Sequence, residues 1–175
     1  MAKTVIGVFD DTSKAEKAVD DLQRKGFKKD EISILARENV RQEVGGGGAG
    51  EGRGQGERGD RGMTMGVGQD LSTGVYTGGA VGGLAGLLAS AGALAIPGIG
   101  PILAAGPVAA ALTGAVTGGI AGGLIDWGIP ENVGRRYEER VKEGKIVALV
   151  RTDDDKVSEA AEIMRRHGAT EVETH

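Results

Sequence analysis

One long stretch of this chain carries no charged side chain. From Leu71 to Ile125 the sequence contains no Asp, Glu, Lys, Arg or His, and glycine and alanine dominate it. A stretch of that length without charge has to be covered by protein or by lipid. We therefore expect an apolar middle, residues 71–129, between flanks of ordinary charged composition, 1–38 and 130–175.

Small residues recur in this middle at every fourth position, in two series separated by a break. On an α-helix such a series forms a groove without side chains, which lets a second backbone approach closely. The pattern predicts two helices, about Gly74–Leu94 and Pro107–Trp127, each roughly 30 Å long and so matched to a bilayer core. The predicted residues for helix packing and oligomerisation are Gly74, Gly78, Gly82, Gly86 and Ser90, and then Gly106, Ala110, Gly114, Gly118 and Gly122.

Prolines and glycines between the two series predict the turn of a helical hairpin. The turn residues are Pro97, Gly98, Gly100, Pro101 and Pro107. The tip has no charged side chain, which favours its burial in lipid or in an oligomer. Two aromatic residues, Tyr76 and Trp127, would lie at one level of the hairpin, either as membrane-interface anchors or packed on the rest of the protein.

Each flank predicts a β-α-β unit. The first has strands at TVIGVF and EISILAR around a helix whose inner face is Ala15, Ala18, Val19 and Leu22, with a capping box at Ser13 and Glu16 and a left-handed cap at Gly26. The second has KIVALVRT, a helix with an inner face at Val157, Ala160, Ala161 and Met164, and EVETH. An extra helix, PENVGRRYEERVKEGK, precedes the second unit.

The two units resemble each other at an offset of 142 positions, without a gap. The aligned identities include Lys3 with Lys145, Val5 with Val147, Val8 with Val150, Gly26 with Gly168 and Glu31 with Glu173. A single unit leaves its strand edges unpaired, so two copies are expected to form one four-stranded sheet. The predicted fold is α+β, a ferredoxin-like domain assembled from both chain ends, into which the glycine-zipper α-helical hairpin is inserted.

Residues 39–70 mix glycine with charges of both signs, which predicts a flexible linker. The GGGGAG within it fits a dinucleotide-loop pattern, but no helix pattern follows, so no cofactor is predicted. A net charge of -4 and a pI near 5.3 argue against a nucleic-acid partner.

Catalytic chemistry has few candidates in this sequence. The chain has no cysteine and two histidines: His167 lies beside a helix end and His175 at the last position. The acidic pairs fall at helix starts or on exposed faces, and no metal-ligand spacing is present. We therefore expect no catalytic, cofactor or metal site. The N-terminus lacks the apolar core of a signal peptide, which favours a cytoplasmic location, free or at the cytoplasmic face of a membrane.

Several segments resemble a known family. KTVIGVFDDTSKAEKAVDDLQRKGFKKDEISILARE is similar to the N-terminal domain of general stress proteins of the heat-induced, YflT type. The arrangement of GGLAGLL, LAIPGIGPILAAGP, GGLIDWGIPE and RRYEERVKEGKIVALV is similar to longer, low-temperature-induced stress proteins with a glycine-zipper middle. The resemblance implies a stress-induced, non-catalytic protein, cytoplasmic or membrane-associated, and supplies no catalytic residues.

Two main functions remain open from the sequence, beside a third in which a sensor domain binds a small metabolite between its two repeats, for which the sequence offers no convergent polar pocket. In the first, a non-enzymatic stress-response protein self-associates, inserts into a membrane, or does both, through the glycine-zipper hairpin. In the second, a soluble oligomer encloses its hairpins in protein, and the ferredoxin-like domain binds a ligand or a partner protein. The expected partner in both is a second copy of the chain, with membrane lipid as a further partner in the first.

Overall fold

The computed structural model describes residues 1–40, 84–89, 91–96, 98–114 and 118–175, which form an α+β structure with one six-stranded antiparallel sheet. Its strands are β1 (Ala2–Phe9), β2 (Ile32–Arg37), β3 (Gly92–Ile96), β4 (Gly100–Ala105), β5 (Ile146–Asp153) and β6 (Glu171–Thr174). Its helices are α1 (Thr12–Arg24), α2 (Leu84–Ala89), α3 (Pro107–Gly114), α4 (Gly119–Ile125), α5 (Glu131–Lys142) and α6 (Asp154–Arg166). The strand order is β3-β4-β2-β5-β1-β6.

Both flanking β-α-β units form as the sequence predicts. The inner face predicted for α1 is fully buried, and on α6 Ala160, Ala161 and Met164 are buried while Val157 packs against the same core. Left-handed glycines end these helices, at φ +91° for Gly26 and +89° for Gly168. The predicted capping box is wrong, because Asp11 is the N-cap of α1 and its side chain accepts the Ser13 N–H.

The two units interleave, since β1 and β5 pair at the centre and β2 and β6 lie outside them. The internal repeat shows in the register, because Val5 pairs with Val150 and Val8 with Val147. The offset does not extend to the last strand. Val8 and Val150 are equivalent residues of the two units. Val150 pairs with Ile32 and Val8 pairs with Glu171, so Ile32 corresponds to Glu171. The ungapped match of Glu31 with Glu173 is therefore wrong. The connection from helix to strand is three residues shorter in the second unit.

The apolar middle differs from the predicted helical hairpin. Residues 92–96 and 100–105 form two antiparallel strands, β3 and β4, that join the sheet next to β2 and raise its strand number to six. Its β4 residues 102–105 are all buried, and a strand covered on both faces reads as a continuous apolar run. Periodicity alone cannot distinguish such a run from a buried helix, which explains the wrong prediction. The predictions for residues 41–83 lie outside the described residues.

Helices cover both faces of the sheet. The first apolar cluster lies under α1, α2 and α6, and the second lies under α3, α4 and α5. We refer to these as cluster 1 and cluster 2. The largest fully buried side chain in cluster 2 is that of Tyr137 on α5. Two helices of the apolar middle, α3 and α4, thus shield the sheet face opposite to α1 and α6.

Candidate self-association surface

Part of the predicted glycine surface lies outside the described residues. This applies to Gly74, Tyr76, Gly78, Gly82, Ser90 and Pro97. From the first series the structure places Gly86, within α2, whose Leu84, Leu87 and Leu88 are buried in cluster 1. The first series therefore stays a prediction except at this helix, which packs on the chain's own core.

Gly106 does not lie on a helix face. It connects β4 to α3 with φ +80°, and a Cβ there would stand 2.2 Å from the carbonyl oxygen of Ile32. The neighbouring Ser33 hydroxyl accepts the N–H of Val108 at the start of α3, at 3.2 Å. Gly106 therefore lets the chain pass tightly over β2, and its predicted role in helix packing is wrong.

The second glycine series does not form one continuous face. The described helices end at Gly114 and begin again at Gly119, and Gly118 is the N-cap of α4. Along this series Ala110 and Gly118 are exposed and Gly122 is half-buried. The single long helix from Pro107 to Trp127 is thus wrong, since two short helices replace it.

Close approach between helices does occur, but at glycines outside the predicted series. A Cβ on Gly134 of α5 would lie 3.0 Å from the Cα of Ala121 on α4. A Cβ on Gly123 would lie 2.6 Å from a methyl carbon of Leu112 on α3. These contacts join α3, α4 and α5 within one chain, so small residues serve intramolecular packing here.

The chain does reverse direction at the predicted turn, but it joins two strands there. Gly98 and Gly100 have φ of +86° and +91°, and the Ile99 N–H donates to the Ile96 carbonyl at 3.0 Å. Pro101 lies within β4, and Pro107 is the first residue of α3.

Trp127 packs on the folded protein. Its side chain is buried in cluster 2, and the guanidinium carbon of Arg151 lies 5.5 Å from its ring centroid. Its carbonyl accepts the Thr4 hydroxyl at 3.1 Å. Of the two readings of this residue, membrane anchor or internal packing, the contacts of the described residues match internal packing.

The edge strand β3 presents an uncharged surface. It contains Gly, Ala, Leu and Ile alone, and its outer side has no partner strand in the part of the chain that the structure describes. Ala93 and Ala95 are exposed, while Leu94 and Ile96 are half-buried against cluster 2. Sequence reasoning missed this strand, although the alternation of small and large residues in GALAI is a period-two signal.

The opposite edge, β6, is covered by ion pairs. Arg136 of α5 binds both carboxylate oxygens of Glu173, at 2.8 and 2.9 Å. Arg140 binds Glu171 and also Glu143. The His175 Nε2 lies 3.3 Å from the Glu173 carboxylate. This set of charges, which the sequence reading also missed, results from the pairing of β6 beneath α5.

The same edge shifts the pKa of two groups. Burial and then the nearby Glu173 carboxylate raise the pKa of Tyr137, so its hydroxyl stays protonated at ordinary pH. For Glu173, burial opposes ionisation, but the Tyr137 hydroxyl, Arg136 and His175 outweigh it and lower its pKa. The β6 edge is therefore charged through the neutral pH range.

The described residues offer little for catalysis. Within them no group of three or more His, Cys, Asp or Glu side chains is placed to hold a metal ion. His167 Nε2 lies 3.1 Å from the Asp21 carboxylate and links the ends of α6 and α1. None of the helices described is both long enough and apolar enough to cross a bilayer.

Comparison with known proteins identifies the first flank. Residues 4–49 match the family model of the heat-induced stress protein YflT domain, which confirms the resemblance predicted from the sequence. The matched segment contains β1 from Thr4 onwards, α1 and β2. No curated protein and no solved structure matches the chain.

Proposed function

We propose that this chain, whose residues 4–49 match the heat-induced stress protein YflT domain, is a stress-response protein that acts by self-association and not by catalysis. The observation that carries the proposal is the uncharged β3 edge, which has no partner strand among the residues that the structure describes. Edge strands of this kind pair readily with another chain unless charges, proline or a cover prevent it. The proposed partner is a second copy of the same chain.

The flanks and the middle of the chain have different roles in this proposal. The order β2-β5-β1-β6, with each β-α-β unit split by a strand of the other, is the arrangement expected of a ferredoxin-like domain. In this reading the middle adds β3 and β4 to one end of that sheet and covers its second face with α3 and α4. The middle thereby supplies both a second core and the edge that associates.

Membrane insertion through the predicted hairpin is the weaker alternative. Val108, Leu112, Ile120 and Leu124 are buried in cluster 2. Transfer of α3 and α4 into lipid would expose Ile6, Leu35, Val147 and Leu149 on the sheet face beneath them. Because that exposure would cost much of the free energy gained in the bilayer, we favour enclosure of the middle by protein.

Sedimentation velocity of the full chain over a wide concentration range tests the proposal. A short edge interface buries little area, so we expect a monomer that converts to dimer as concentration rises through the micromolar range. A chain that stays monomeric at every concentration would rule out self-association. Liposome flotation run in parallel tests the alternative: salt-resistant flotation of the bulk of the protein would favour lipid insertion.

A further inference from the structure

We infer that β3 pairs with β3 of a second copy in one defined register. In this register the two strands run antiparallel, Leu94 faces Leu94 of the second copy, and Ala93 faces Ala95. The two sheets then become one continuous sheet across a two-fold axis. This inference rests on the proposed self-association and specifies where and how it occurs.

The direction of the backbone groups of β3 follows from its neighbour β4. Ala95 is paired with Pro101, and the Pro101 carbonyl accepts the Glu38 N–H beyond β2, at 3.4 Å. In a strand the N–H and C=O of one residue point to the same side, so the backbone of Pro101 faces away from β3. Ala95 and Pro101 therefore form a non-hydrogen-bonded pair. The N–H and C=O of Ala95, and of Ala93 two residues earlier, point to the open edge.

This direction selects the register. Residues that expose their N–H and C=O exchange both bonds with the residue opposite, and such pairs alternate with pairs that form no bond. In each copy the outward N–H and C=O groups belong to Ala93 and Ala95. All of them form hydrogen bonds when Ala93 of one copy lies opposite Ala95 of the other. Leu94 then lies opposite Leu94 of the second copy. The interface is isologous, so it closes at two copies and leaves no further β3 edge.

The side chains suit a like partner. Leu94 is paired with Ile102 within the chain and is half-buried against cluster 2. Two opposed Leu94 side chains would therefore connect cluster 2 of one copy with cluster 2 of the other. Ala93 and Ala95 lie on the other face, are exposed, and are small and uncharged. No like charges meet across the strand pair. The β6 edge could not pair with itself in this way, because Glu171 and Glu173 would lie opposite glutamates of the second copy and repel them.

A proline at position 95 tests the pairing directly. Ala95→Pro removes an N–H that points outward and forms no bond with β4, and proline is tolerated on an edge strand. We expect self-association about tenfold weaker or more, because each dimer loses two hydrogen bonds, while the Tm changes little. The matched control is Ala95→Thr, which keeps the N–H and should associate like the wild type.

A single cysteine tests the register independently, because the chain has no native cysteine. In a non-hydrogen-bonded pair the Cα atoms lie about 4.5 Å apart, within the range of a disulfide. Leu94→Cys should therefore form a covalent dimer under mild oxidation. Ala95→Cys should not, because the two positions lie roughly 8 Å apart across the dimer. Ala110→Cys, on an exposed helical site of α3, gives the background.

The outcomes separate this inference from the proposed function. If the wild type associates but Ala95→Pro associates equally well, the pairing of β3 is wrong and another surface forms the dimer. If Leu94→Cys cross-links no faster than Ala110→Cys, the register is wrong even where association persists. If the wild type is monomeric throughout, the proposed function itself fails. Should Ala95→Pro fail to fold, the cysteine series decides alone.

Discussion

The strands β3 and β6 end the same sheet, and they differ in almost every side chain. In β6 two of four residues are glutamates, and α5 supplies Arg136 and Arg140 to pair with them. In β3 no residue can carry a charge. Charged edges discourage pairing between chains, whereas neutral apolar edges favour it. The difference indicates that the β6 edge is protected against pairing, whereas β3 has no such protection within the described part of the chain.

The largest effect is expected where the β3 side of the sheet is anchored. Gly106→Ala would force an alanine into φ +80° and drive its Cβ against the Ile32 carbonyl, so unfolding by urea should show a loss of about 3 kcal/mol or more. Gly98→Ala is the matched control, because its φ is +86° but no atom of the described residues lies within 4 Å of the added Cβ. Its cost should be about 1 kcal/mol. Equal losses at both positions would contradict the close approach at Gly106.

Charges placed on β3 should convert it into an edge like β6. Ala93→Glu combined with Ala95→Glu sets like charges opposite each other in the proposed register, and self-association should weaken more than tenfold by sedimentation. Ala93→Lys combined with Ala95→Glu sets opposite charges face to face instead, and association should persist and become sensitive to salt. Because all these side chains start from exposed alanines, the Tm should change little. Equal behaviour of the two pairs would contradict the register.

The secondary structure of the flanks could be predicted from the sequence because its signals are local. Ala15, Ala18, Val19 and Leu22 repeat at helical spacing and α1 buries all four. The two units could be predicted to share one sheet, because each unit alone would leave its strand edges unpaired.

The secondary structure and packing of the middle could not be predicted in the same way. The four-residue repeat of small residues correctly marks close packing, but it does not say which elements approach one another. Gly106 serves a turn over β2, and one of the two close helix contacts involves Gly134, which lies outside the apolar stretch. Whether residues 92–105 form helix or strand depends on whether β2 has a free edge with which they can pair. That depends on tertiary structure, which local sequence patterns do not reveal. The ion pairs of β6 depend likewise on α5 lying above it.

The pH dependence should separate the two edges further. The folded pKa of Glu173 lies below its ordinary value of 4.5, so its stabilisation is present above that pH and is lost as pH falls through the folded pKa. We expect the free energy of unfolding to decline below about pH 4.5, and Glu173→Gln to remove up to about 1 kcal/mol of that decline. Self-association should not change through the same range, because β3 has no titratable group. An association that titrates with Glu173 would place β6 in the interface.

The smallest effect is expected at the Tyr137 hydroxyl. This oxygen is buried and, in the described part of the chain, has no hydrogen-bond partner within normal geometry, although it lies near Glu173. Tyr137→Phe keeps the ring in cluster 2 and removes a poorly satisfied polar group, so the free energy of unfolding should change by less than about 1 kcal/mol. Its signature should instead be a smaller acid-induced decline that ends at a higher pH, because one influence that lowers the folded pKa of Glu173 is gone. Tyr137→Leu, which also removes the ring, is the comparison and should cost more through lost packing. If Tyr137→Phe is as destabilising as Tyr137→Leu, the hydroxyl and not the ring holds the β6 edge beneath α5.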